Sequence, residues 1–239
     1  MRSTSCTPRV RGVEQGSLVG THPDLEPLLG GAGPTVEDAQ RARILDAISR
    51  VVAEKGYAAA TVADVVRAAR VSRGTFYGLF AAKEQCFLEA YAHGTDVLLA
   101  RVREGARAGA DSTDWRGALR GGMTAYLGTL AHEPQFARTY LLEIHAAGPA
   151  AQIARDGVLR RFATEYQRAF RLARKLDPSL RALTADELFV VSAGLDQLIC
   201  ARVHAEGVER LPGHTESFVR TAAALMEGAA STDPASRRA

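Results

Sequence analysis

Residues 61–83, TVADVVRAARVSRGTFYGLFAAK, constrain this chain more than any other stretch. Val62, Val65, Val66 and Ala69 recur at helical intervals and predict a short helix over 62–69 with one buried face. Thr61 stands at the capping position, where its hydroxyl can accept from the Asp64 backbone while the Asp64 carboxylate reaches back. After Arg70 and Val71, Ser72 caps a second helix over 73–79. Phe76 and Phe80 point to one side of it, and Arg73, Thr75 and Tyr77 to the other. Gly74 keeps the start of that helix free of bulk. Such a face suits a major groove: it offers donors for base edges and phosphates and allows close approach.

The surrounding positions extend the pattern. From Ile44 to Tyr91 the chain carries Gly56-Tyr57, Thr61-Val62, Val71-Ser72, Gly74-Thr75-Phe76-Tyr77, Phe80 and Lys83-Glu84 in one register. In these residues it resembles the TetR family of transcriptional regulators. The resemblance implies an all-α fold, with a three-helix head containing a helix-turn-helix followed by a larger helical domain for effector binding and dimerisation. It implies that Ser72, Arg73, Gly74, Thr75 and Tyr77 meet the groove, with Thr61, Arg70 and Lys83 near phosphates. Three positions depart from the family pattern: Val66, Arg70 and Leu79 stand in place of Ala, Gly and His. A left-handed Arg70 costs on the order of 1 kcal/mol. Leu79 removes one phosphate contact, which lowers the log–log salt slope by about 0.9.

Bulk charge does not announce a nucleic-acid partner. The net charge is +3, from 30 basic and 27 acidic residues, so geometry must gather the basic groups on one side of the head. Cys6, Cys86 and Cys200 form no CxxC pair and read as reduced thiols. No run of about 18 uninterrupted apolar residues marks a membrane span, because Asp186, Glu187, Asp196 and Arg202 interrupt the most apolar stretch, residues 183–203. The N-terminus lacks the apolar core of a signal peptide, and a cytoplasmic location is expected. Nucleophile-elbow, P-loop and zinc-protease signatures are missing, and the six histidines show no metal-ligand spacing. The expectation is a regulator that needs neither cofactor nor metal and is not an enzyme.

Taken in order, residues 1–34 read as a flexible arm holding four of the nine prolines. Residues 35–82 form the DNA-binding head, opening with a helix over 36–55. Residues 83–230 form the effector and dimerisation domain, and 231–239 a frayed tail. Helices are predicted at about 82–108, 114–131, 135–146, 150–176, 185–205 and 215–228. Thr184 with Glu187 marks one start, and Asp177-Pro178 marks one stop.

Aromatic side chains, several with a polar tip, at Tyr91, Trp115, Tyr126, Phe136, Tyr140, His145, Phe162 and Tyr166 are the candidate effector-pocket lining. Few formal charges interrupt them, which favours an apolar or aromatic effector. Leu188, Val191, Leu195, Leu198, Ile199, Phe218 and Leu225 repeat on the last two helices. By the resemblance, these are the ones that pair with a second subunit. A homodimer also follows from the limited reach of one helix-turn-helix, since a two-fold pair reads two half-sites about 34–36 Å apart on a palindromic operator. The reading is therefore a repressor of double-stranded operator DNA, released by a small molecule. Its alternatives are an effector-independent architectural dimer and a helical carrier or enzyme.

Overall fold

A computed structural model describes residues 35–231 as an all-α chain, and among the described residues there are nine α-helices. The three head helices are α1 (Val36–Lys55) and the short α2 (Val62–Ala69) and α3 (Arg73–Leu79). Thr35 with Asp38 and Thr61 with Asp64 close reciprocal capping boxes, so α1 and α2 begin where their side chains satisfy orphan amides. Arg70 ends α2 in the left-handed region at φ 55°, a conformation that glycine adopts without strain and other residues do not. Ile44, Ile48, Val52, Val65, Phe76 and Phe80 fill the head core.

The body is α4 (Lys83–Ala108), α5 (Trp115–His132), α6 (Pro134–Leu141), α7 (Pro149–Leu176), α8 (Ala185–Glu206) and α9 (Thr215–Ser231). At 26 residues α4 is about 39 Å long, and it runs from the head into the body. Its distal half lies backbone to backbone on α5. A Cβ on Gly121 would sit 2.1 Å from the Gly105 carbonyl oxygen, and one on Gly109 would sit 2.4 Å from that of Gly117. Any side chain at these positions would push the two helices apart.

The single helix predicted over 135–146 is instead two pieces. α6 ends at Leu141, and residues 143–146 tighten into a 3-10 turn. The reason is tertiary. The Glu143 carboxylate accepts the Tyr57 amide N–H at 2.9 Å, while the Thr139 hydroxyl donates to the Ser49 carbonyl at 3.3 Å. A second 3-10 segment, Val208–His214, follows Gly207, whose φ of 86° stops α8. α9 reaches Ser231, where the sequence placed the start of a frayed tail. The rest of that tail and the N-terminal arm lie outside the described residues.

Among the described residues, α8 is the one helix long and apolar enough to cross a bilayer by length and composition. It nevertheless carries the buried Asp196, and one of its faces packs on the body core.

Candidate nucleic-acid interface and interior cavity

α3 presents one side to the core and the other to solvent. Phe76 and Phe80 are buried, and Arg73, Gly74 and Tyr77 are exposed, Tyr77 by 56%. The Ser72 hydroxyl accepts the Thr75 amide N–H at 2.9 Å and lies 2.9 Å from the Thr75 hydroxyl. A Cβ on Gly74 would meet only the Ser72 Oγ, at 3.5 Å, and one on Gly78 would meet nothing within 4 Å. Neither glycine is needed by the fold, so both leave room for something outside it. Arg70 is also exposed, at the turn between α2 and α3.

Two residues assigned to phosphate are otherwise engaged. The Thr61 hydroxyl donates to Asp64 Oδ2 at 2.7 Å while accepting from the Asp64 amide. Lys83 is turned inward. Its ammonium donates to the Tyr57 carbonyl at 2.7 Å and to the Ala60 carbonyl at 2.8 Å, and it lies 4.1 Å from the centre of the Tyr57 ring. Burial lowers its pKa. The carbonyls of the turn after α1 need donors, and Lys83 supplies them, so it fastens α4 to the head. Arg41 is similarly held: it forms a two-pronged pair with Glu89 and lies over the Phe80 ring.

The body holds a cavity of about 610 Å³, partly open to solvent, between α4, α5, α6, α7 and α8. Of the eight lining candidates, Tyr126, Tyr140, Phe162 and Tyr166 border it. The other four do not. Tyr91 and Phe136 stack on Tyr140 with centroids at 5.5 and 5.4 Å, and Trp115 meets Phe170 edge-on at 5.6 Å. His145 is largely exposed on the first 3-10 turn, and partial desolvation of its ring together with the nearby Arg155 lowers its pKa. Aromatic spacing along a helix is the same for core and lining, so sequence periodicity could not separate the two groups.

The inner wall is apolar and aromatic, including Leu195 and Ile199, with Asp196 and Ser192 set into it. Asp196 pairs with Arg155. Burial raises the Asp196 carboxyl, and Arg155 opposes the shift. Burial likewise raises Tyr126 and Tyr140, with Asp196 adding to both. The outer rim differs: Arg103, Arg107, Glu165 and Arg168 line it, and Arg107 and Arg168 are exposed. Glu165 accepts from Arg103 and Arg168, each at 2.8 Å. Arg107 has no ion pair among the described residues. Sequence reasoning did not anticipate this rim, although the i, i+4 spacing of Arg103 and Arg107 on α4 was a visible signal.

Five of the seven interface candidates belong to this chain's own core. Leu188, Val191, Leu195, Ile199 and Phe218 are buried, and Leu195 and Ile199 face the cavity. Leu198 and Leu225 are exposed by 37% and 46%, and Val190 by 65%. α8 is apolar on its exposed side, at Val190 and Leu198, as well as on its buried side, so it carries no single stripe and the sequence could not say which residues faced inward.

The comparisons with known proteins agree with this geometry. Residues 44–90 match the family model described as "Bacterial regulatory proteins, tetR family". The HTH-type transcriptional activator FasR of Mycolicibacterium smegmatis is 27% identical over 157 residues, covering 62% of this chain and 70% of that protein. The fold matches the transcriptional regulator FadR from Bacillus subtilis, solved with stearoyl-CoA, at TM-score 0.66 and 18% identity, over 78% of this chain and 97% of that one. It also matches a TetR family regulator from Marinobacter aquaeolei VT8 at TM-score 0.58 and 21% identity, over 79% and 96%. Residues 44–90 thus carry the head of the tetR family of bacterial regulatory proteins, and the helical body behind it shares the fold of these solved regulators.

Proposed function

We propose that the protein is a homodimeric, cytoplasmic regulator whose two α3 helices read a two-fold operator, and that an acyl-CoA-type amphiphile filling the cavity releases it from DNA. One observation carries the effector class: the cavity is apolar and aromatic inside and rimmed by three arginines outside. An acyl chain matches the interior, and the phosphates of a coenzyme A group match the rim, where guanidinium pairs well with phosphate. The stearoyl-CoA bound by the Bacillus subtilis FadR supports this class. A cavity of this volume favours an effector-responsive protein over an architectural dimer.

Dimerisation rests on α8 and α9. Val190, Leu198 and Leu225 leave an apolar surface on the side away from the core, and a second copy would cover it. Arg73, Thr75 and Tyr77 are the proposed base and backbone contacts, with Ser72 and Gly74 setting the approach and Arg70 beside phosphate.

Repression is the first reading of the regulatory sign. Activation is the second, favoured by the name of the Mycolicibacterium smegmatis relative. Either sign requires the effector to bind the released form more tightly than the DNA-bound form.

The test is fluorescence anisotropy with fragments of the protein's own promoter, titrated with palmitoyl-CoA, free palmitate and coenzyme A. Release by palmitoyl-CoA alone is expected. Indifference to all three would overturn the effector class, and failure to bind any fragment would overturn the DNA-binding reading.

A further inference from the structure

Asp196 is out of place in an apolar cavity. It is 9% exposed and lines the inner wall, and a buried ion pair contributes little to stability that well-packed apolar residues could not match. Arg155 approaches its Oδ2. Among the described residues Asp196 Oδ1 has no hydrogen-bond partner, and neither do the hydroxyls of Tyr166 and Ser192. Yet no fully enclosed side-chain oxygen or nitrogen of the described residues lacks a partner. These three oxygens are therefore not sealed off, and the residues that carry them line the cavity from α7 and α8 together.

Resting on the acyl-CoA reading above, we infer that the effector carries a hydroxyl on the portion that enters the cavity, recognised by Asp196 with Tyr166 and Ser192. The chemistry selects a neutral alcohol. An ionised carboxylate only accepts hydrogen bonds, so its partner must be a donor. Arg155 already balances the Asp196 charge, so a cation would be repelled by the guanidinium and an anion by the carboxylate. A plain methylene chain would strip water from Oδ1 and return nothing, which is the costly arrangement for a buried polar group. An alcohol donates to Oδ1 and accepts from the Tyr166 or Ser192 hydroxyl. The ligand is thus an amphiphile with its anionic end at the exposed Arg107 and Arg168 and its alcohol at the buried Asp196.

The test is isothermal titration calorimetry on the full chain with matched pairs: oleoyl-CoA against ricinoleoyl-CoA, and palmitoyl-CoA against its terminally hydroxylated analogue. At least one hydroxylated member is expected to bind about tenfold more tightly than its partner, equivalent to about 1.4 kcal/mol. Removing both charges together, Arg155→Met with Asp196→Leu, should abolish that preference. If the double variant does not fold, Tyr166→Phe should cut the preference about threefold.

Equal or tighter binding of both unsubstituted chains to the native protein overturns this inference and leaves the acyl-CoA reading standing. Failure of all four to bind overturns both. A preference undiminished in every variant that folds places the recognition elsewhere and also overturns the inference.

Discussion

Glu143 accepts the Tyr57 amide N–H across the junction between body and head, at 2.9 Å, and Tyr140, three residues before Glu143, borders the cavity. A ligand that displaces the Tyr140 ring therefore acts on a segment bonded directly to the turn after α1. Hydrogen bonds to charged groups contribute about 1.5–3 kcal/mol. For Glu143→Ala we expect the ratio of operator Kd values with and without palmitoyl-CoA to shrink about three- to tenfold. An unchanged ratio, measured by anisotropy, would remove Glu143 from the coupling path.

Arg73→Ala should weaken specific binding by about 1–3 kcal/mol and relax the preference at one base. The measurement is Kd on the selected operator and on scrambled duplex at one salt concentration. Equal losses on the two would mean that Arg73 touches only phosphate.

The outward and inward residues of α8 make opposite predictions. Leu198→Glu, at an exposed position, should yield monomers by light scattering while the fold survives. Leu195→Ala, at 1% exposure, should leave the dimer intact and destabilise each chain by about 2–5 kcal/mol. The reverse pattern would exchange their assignments.

The glycine contact between α4 and α5 predicts a sharp contrast within one helix. Gly121→Ala places a methyl 2.1 Å from a carbonyl oxygen, whereas Gly128→Ala meets nothing within 4 Å. The first should destabilise by about 1–3 kcal/mol through overpacking, and the second should stabilise by roughly 0.5–1 kcal/mol. Urea midpoints for the two variants check both.

Asp64 links the start of α2 to the end of α1. Lys55 and Thr61 hydrogen-bond its carboxylate and lower its pKa from 3.8 to about 2. A depressed folded-state value means that the stabilisation is present above 3.8 and is lost as pH falls toward 2. Melting curves across that window should fall less steeply for Asp64→Asn than for the native chain. Parallel curves would show that this carboxylate contributes nothing.

The head was legible in the sequence because its determinants are local. Thr61 and Asp64 cap within three residues, Ser72 reaches the Thr75 amide, and Phe76 and Phe80 sit one turn apart. Arg70 takes the left-handed turn that its position between α2 and α3 requires. What the sequence could not supply was the partner of each long-range group. Lys83 has the composition of a phosphate contact and becomes a clamp only because two turn carbonyls lie within 2.8 Å. Tyr91 and Tyr140 share the same helical spacing, but the packing of α4 against α6 leaves only Tyr140 on the cavity.

Periodicity names a residue's face on its own helix, and the chain alone determined most of the helix limits and the apolar stripe of those helices that carry one; the break after Leu141 and the inward side of α8 it did not. Which neighbour that face meets depends on how the helices cross. Tertiary packing therefore decided that Asp196 opens onto the cavity, that Arg103, Arg107 and Arg168 gather at its rim, and that Leu198 rather than Leu195 faces outward.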